Sequence, residues 1–296
     1  MGTYFIKDLE SITGIKAHTI RIWEQRYHLV APKRTATNIR YYDDEDVKLL
    51  LNIALLNNKG LKISKIAGLS KTEIQNEAMM SCKKCNEYDD LINSLILATY
   101  NLNEDAFNKV FSNFIFQEGF ENTIEKLAFP FLQRLGDLWV SNAMHPALEH
   151  FATNIIKKKI HIAIEGQTEK REDSKKFILF LPPGEMHELG LLYTNFLVKK
   201  HGHEAFYMGQ NTPHQHLHEV IPNFKADYLV SAFIGCKATI DPAKFVNEIH
   251  ADWPGIKMLL SGFYLLNDRE KFMGLVHNKD NVSILTHPQD ILQFLQ

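Results

Sequence analysis

The stretch GEMHELG, residues 184–190, follows an apolar run and sets Glu185, His187 and Gly190 at a spacing suited to ligand chemistry. An imidazole leaving the end of a strand can be aimed at a ligand, and a carboxylate two residues earlier can orient it, as metal-bound histidines are usually fixed. Gly190, with no side chain, lets a bulky group come close to the start of the next helix. Such a loop has meaning only on a scaffold that presents it, so the rest of the chain must supply one.

With 296 residues, 45% hydrophobic and 23% charged, the chain has the composition of a globular protein of two or three domains. Its three cysteines form no disulfide framework, and the pair Cys82 and Cys85 lacks partners at zinc-finger spacing, so reduced thiols are expected. No basic and apolar leader is visible, and no run of about 18 apolar residues occurs, from which a cytoplasmic location away from membranes is expected. The net charge of −2 hides an asymmetry, because residues 1–42 carry seven Lys/Arg against three acids. That basic end suits phosphate.

Residues 6–15 place Ile6, Leu9, Ile12 and Ile15 at helical spacing, and Gly14 breaks the run before AHTIRIWEQRY. The pattern predicts two short helices with a tight turn. On the second, Ile20 and Trp23 can face a core while Thr19, Arg21 and Arg26 stay outside. The segment APKRTATNIRYY, with Arg34, Arg40 and Tyr41, reads as a β-wing, and DDED then opens a further helix. The polar composition of residues 71–87 predicts a linker between a domain at 1–70 and four helical segments over 88–166. In those helices Pro130 should kink or tighten its own, whereas Pro146 suits a first turn. By helical spacing alone Trp139 belongs to the bundle core, and Glu149 and His150 to a helix surface.

From residue 175 to 296 the rhythm becomes strand and helix in alternation. FILFLPP, EAFYMGQ, ADYLVSAF, IKMLLSG and NVSILT are five short apolar runs separated by helix-like segments. They predict a doubly wound parallel sheet whose ligand site lies at the carboxyl ends of the strands, where GEMHELG sits. His214, His216 and His218 alternate and cannot all share one helical face, and His201 and His203 follow a helix; neither group is assigned a function.

The run TIRIWEQRYHLVAPKRTATNIRYYDDEDVKLLLNIALL resembles the winged-helix domain of the MerR family, with its W-E-x-R-Y core and R…N-x-R-Y wing, over roughly residues 3–69. That resemblance implies a DNA-binding protein, with Thr19, Arg21, Arg26, Arg34, Arg40 and Tyr41 as the contacts to double-stranded operator DNA. ExHxxG resembles the D-x-H-x-x-G motif of cobalamin-binding domains, with Glu185 in the Asp position. That family also has a Ser after the third strand and a small Gly-containing pair after the fourth. Ser231 and Ser261-Gly262 stand there, although Ser261 replaces the first Gly. The resemblance implies that His187 is the lower axial ligand to cobalt and that Ser231 hydrogen-bonds the dimethylbenzimidazole tail.

Trp139, Glu149 and His150 match the W-x9-E-H signature of light-responsive MerR-type cobalamin repressors of the CarH type. By that resemblance these residues cover the upper face of adenosylcobalamin. In the family mechanism a histidine next to the Trp can take the vacated upper site after photolysis. Here Val140 follows Trp139 and cannot ligate cobalt, which leaves His145, His150 or water for that position.

The expectation is therefore a multidomain chain: an all-α winged helix-turn-helix, a four-helix bundle and a Rossmann-like α/β domain with a five-stranded parallel sheet. It would be a non-enzymatic repressor in the dark, a dimer or tetramer, sensing light through adenosylcobalamin. A rival reading keeps DNA binding and leaves the pocket only a role in oligomerisation or partner binding. An enzymatic module is disfavoured, because no catalytic barrel fits beside the winged helix in this length.

Overall fold

The computed structural model describes residues 3–35, 37–58, 60–81, 88–140, 146–235 and 240–296. Contacts divide the chain into two compact units, Met1–Ile156 and Lys157–Gln296.

The first unit begins with α1 (Ile6–Thr13) and α2 (Ala17–Tyr27), joined by a turn in which Gly14 adopts φ 72°. Glu10 stabilises that turn, because its carboxylate accepts the Ala17 N–H at 3.0 Å at the N-terminus of α2 and pairs with Lys16 at 3.0 Å. Leu9, Ile12, Ile20 and Trp23 are buried, as the spacing predicts. The wing is an antiparallel hairpin of β1 (Lys33–Arg34) and β2 (Arg40–Tyr41), with Arg34 opposite Arg40. Helix α3 (Asp44–Asn58) follows with three acids in its first turn, then α4 (Ile63–Ile66).

The expected linker from residue 71 is instead helical as far as Ser81, in α5 (Lys71–Ser81), which packs on α3; residues 82–87, with Cys82 and Cys85, lie outside the described residues. The reason is legible in S-K-T-E at 70–73. Ser70 Oγ accepts the Glu73 N–H at 3.2 Å while the Glu73 carboxylate accepts the Ser70 N–H at 2.7 Å, a reciprocal cap that polar composition disguises. Ile74, buried one turn on, anchors the helix.

The helical region comprises α6 (Asp89–Tyr100), α7 (Glu104–Glu118), α8 (Phe120–Asn122), a π-helical stretch Thr123–Ala128, α9 (Phe129–Val140) and α10 (Pro146–Glu165). Phe107, Phe111, Phe114 and Phe131 fill its interior, with Phe107 edge-on to Phe131 at 5.6 Å. The turn before Pro130 is widened, not tightened. Proline has no N–H to give and its ring crowds the carbonyl four residues back, that of Lys126, so an i→i+5 turn accommodates it. This region is tied to the winged helix by Tyr100, whose hydroxyl donates to Asp8 at 2.9 Å, and by Asn101, which donates to the Tyr4 hydroxyl at 2.7 Å.

The second unit holds all five expected strands: β3 (Lys176–Phe180), β4 (Glu204–Gly209), β5 (Tyr228–Ala232), β6 (Lys257–Ser261) and β7 (Val282–Leu285). They pair in parallel in the order β4-β3-β5-β6-β7. Helices α11 (Leu189–Lys200), α12 (His214–Phe224), α13 (Pro242–Asp252), α14 (Phe263–Asn267) and α15 (Arg269–Leu275) connect them, and a 3-10 turn, Pro288–Phe294, closes the chain. The strand order reverses between β3 and β5, which makes the crevice at their carboxyl ends the place for a ligand.

Ser70→Ala removes one half of the cap on α5 and is expected to destabilise the first unit by about 1 kcal/mol. Urea unfolding read by circular dichroism checks this; an unchanged midpoint would show that packing of Ile74 alone fixes the helix.

Candidate functional site

Glu185 follows β3 fully buried, and its carboxylate reaches two loops. One oxygen accepts the N–H groups of Met186 and His187 at 3.0 and 3.1 Å and lies 2.6 Å from Nδ1 of His187. The other accepts the N–H groups of Ile234 and Gly235, both at 2.8 Å, from the loop after β5. The carboxylate thus bridges the two strands flanking the reversal in sheet order. Burial pushes its pKa up, but His187 and the N–H groups of Gly235, His187 and Ile234 outweigh burial and hold it well below the ordinary carboxylate range.

With Glu185 ionised, Nδ1 of His187 carries the proton and the lone pair resides on Nε2, the nitrogen suited to a metal. The side chain of His187 is 61% exposed although its tautomer is fixed from within. Two further side chains hold the loop: Asn211 accepts the Gly184 N–H at 2.9 Å and Gln210 donates to the Met186 carbonyl at 2.6 Å. At the helix start Glu188 takes Lys157 at 2.7 Å and the Tyr207 hydroxyl at 2.9 Å.

The glycines divide by cause. A Cβ on Gly235 would stand 2.3 Å from Cε1 of His187, so the imidazole occupies the space that this glycine leaves. Gly262 adopts φ +115° and a Cβ there would meet the Phe233 carbonyl at 2.2 Å, so its need is internal to the packing of neighbouring loops. Gly190 is the reverse case, because a Cβ would meet nothing within 4 Å, which leaves open space beside the start of α11. Ser231 is buried on β5 with its hydroxyl oxygen unpartnered by any described protein group, and a buried polar atom of this kind calls for an external partner. Ser261 is half-buried, and its carbonyl accepts the Phe233 N–H at 2.9 Å. Around this crevice Met186, Ile234, Phe263 and Tyr264 are exposed, an apolar rim at the strand ends.

A second candidate surface lies on the winged helix. Arg21, Arg26 and Arg34 are exposed, Thr19 and Tyr41 half-buried, and Arg26 leans over the Tyr27 ring at 5.4 Å. Arg34 is steadied by Asn38, at 2.6 Å from its side-chain oxygen. Arg40 differs, because its Nε is 3.4 Å from the buried Glu24 of α2, which also accepts the Tyr42 hydroxyl. Glu24 therefore fastens the wing to the second helix, and Arg40 is part of that fastening. In the helical region Glu149 is half-buried and takes the Thr153 hydroxyl at 3.0 Å, and exposed His150 lies 3.5 Å from it. Trp139 and Val140 are in the last turn of α9, but their side chains, like His145, lie outside what is described.

Family models match two stretches of the chain. Residues 4–73 match the MerR HTH family regulatory protein, and residues 91–164 match the B12 binding domain. The chain joins a MerR-type helix-turn-helix domain to a B12-binding domain. It is homologous to the HTH-type transcriptional repressors CarH and CarA of Myxococcus xanthus. With CarH it shares 22% identity over 81% of each chain; with CarA, 24% over 83% of this chain and 81% of the other. It is thus a MerR-type transcriptional regulator that carries a B12-binding domain. Its fold is also that of a monomethylamine corrinoid protein of Methanosarcina barkeri, with TM-score 0.56 and 12% identity over 70% of this chain and 97% of that one. No helix among the described residues is long and apolar enough to cross a membrane.

Gly235, Gln210, Asn211 and Lys157 were not legible as site residues, because each joins from a distant segment. Only Gly235, a glycine just after an apolar strand, left a local trace.

Since the folded-state pKa of Glu185 is depressed, its ionised contacts stabilise the second unit fully above the unfolded value of about 4.3. That contribution fades as pH falls through this value toward the folded pKa. Glu185→Gln is therefore expected to cost most stability at pH 7 and progressively less below about pH 4. Paired urea titrations of both proteins across pH 3–7 test this, and a difference independent of pH would rule out the ionised bridge.

Proposed function

We propose that the protein represses transcription in the dark as an oligomer, dimer or tetramer, with adenosylcobalamin bound, and releases its operator on illumination. The observation that carries the reading is the Glu185–His187 pair at the sheet reversal of a chain that also bears a MerR-type domain. The donor set fits the group: an imidazole with its proton held on Nδ1, a buried hydroxyl in want of a partner, and room beside Gly190. When bound, adenosylcobalamin supplies a light-labile cobalt–carbon bond, chemistry that belongs to the cofactor.

His187 would hold the cobalt through Nε2, Glu185 would hold the Nδ1 proton, and Ser231 would hydrogen-bond the dimethylbenzimidazole tail. Gly190, Ser261 and Gly262 would leave room around it. Trp139, Glu149 and His150 would take part in holding the cofactor, as in the family signature. Val140 stands where the family has a histidine and cannot ligate cobalt, so His145, His150 or water would serve in its place. Arg21, Arg26 and Arg34 would hold phosphates or base edges, with Thr19, Tyr41 and the Glu24-braced Arg40 setting their register. A cytoplasmic location follows from this role. Light then acts as a population shift between a DNA-binding assembly and a released one.

The test is the absorption spectrum of protein loaded with adenosylcobalamin in the dark, desalted, then lit with green light. Retention of cofactor and a light-induced change are expected in the parent, with retention reduced or the spectrum shifted in His187→Ala. A parent that retains nothing sinks the proposal.

The wing gives a separate expectation. Arg34→Ala should weaken operator binding and reduce the slope of log affinity against log salt by about 0.9. Arg40→Ala should weaken binding and also lower the melting temperature, since Glu24 loses its cation. Unchanged affinity in both would remove the wing from the interface.

A further inference from the structure

Three histidines at 214, 216 and 218 cannot share one face of a helix, but two of them do. His214 and His218 are four residues apart on α12, one turn, and both bring Nε2 close to Oδ2 of Asp252, the last residue of α13, at 3.1 and 3.2 Å. The ligand atoms of the three residues lie within 4.8 Å of one another. A tetrahedral zinc ion with bonds of 2.0–2.2 Å sets its ligand atoms about 3.3 Å apart, close to the two separations seen here.

A simple ion pair leaves part of this arrangement unexplained. The His214 side chain is 18% exposed, and its Nε2 is buried without a hydrogen-bond partner: Asp252 is near enough but lies off the hydrogen-bonding direction. Aromatic rings surround the cluster. Trp253 lies 4.7 Å from the His218 ring and 6.1 Å from that of His214, and Phe245 meets His214 edge-on at 6.3 Å. A second edge is open, because a cavity of about 260 Å³ is lined by His214, Phe245, Lys244, Glu248 and Pro183. Two imidazoles and a carboxylate from two helices, partly dry and open on one side, form a donor set for a borderline divalent cation.

We propose that His214, His218 and Asp252 form a binding site for a divalent transition-metal ion of the zinc class, with the remaining coordination position left to solvent. The ion links the start of α12 to the end of α13. Helix α12 follows the loop of Gln210 and Asn211, and Pro183 immediately precedes the loop carrying His187, so the site borders the segments that hold GEMHELG. The proposal does not depend on cobalamin and is tested without it.

Chelator-treated full-length protein is titrated with Zn²⁺ against a chromophoric chelator, beside His214→Ala/His218→Ala and beside His216→Ala, whose side chain is exposed on another face. One equivalent is expected in the parent and in His216→Ala, with affinity more than about 100-fold lower in the double variant. Circular dichroism confirms that each variant is folded. Zinc-edge X-ray absorption on the parent should show nitrogen and oxygen ligands only. The proposal is overturned by absence of stoichiometric binding, by full affinity in the double variant, or by sulfur at about 2.3 Å, which would place the ion on the cysteines.

Discussion

A single buried carboxylate sets the geometry of the second unit's functional end. Glu185 has no contact with water, and an isolated buried charge of this kind would be prohibitively costly. What makes it tolerable is the convergence of four backbone N–H groups and one imidazole, drawn from two loops that parallel strands deliver side by side. The dependence runs both ways: the loops are ordered because the charge must be satisfied, and the histidine is exposed yet fixed because the charge sits beneath it. Gly235 belongs to the same constraint, since any larger residue would push the ring out of place.

The first unit is organised by a parallel device. Glu24 is buried in the second helix and gathers Tyr42 and Arg40 from the wing, so the two parts of the basic surface are held in fixed relation by one acid. The exposed arginines are thereby presented on a frame whose stiffness comes from residues that face inward. Asp8 and Tyr4 extend the frame to α6 through Tyr100 and Asn101. The winged helix and the helical region as far as Ile156 thus form one compact unit.

Much of this was legible in the sequence where local pattern and tertiary need coincide. The five strands, the two helices around Gly14 and the hairpin of the wing follow from apolar periodicity and turn residues. The pairing of Glu185 with His187 follows from spacing at a strand end. Segment 71–81 reads as linker by composition but is helical, because a reciprocal Ser70–Glu73 cap and one buried Ile74 outweigh its polarity. The convergence of His214 and His218 on Asp252 has no local signal, because the third group comes from another helix 34 residues on from His218. Ile234, Gly235 and Asn211 escaped for the same reason: nothing local marks a residue whose role is set by strand order.

The π-helical stretch Thr123–Ala128 has a geometric consequence for the helix that follows it. Each residue of an α-helix turns the chain by about 100°, so one extra residue accommodated in a wide turn offsets everything downstream by roughly that angle. The buried stripe through Phe131 and Leu135 is therefore out of phase with the one through Ile124 and Leu127. Pro130 thus acts as a clocking element, setting the azimuth of the helix that follows it.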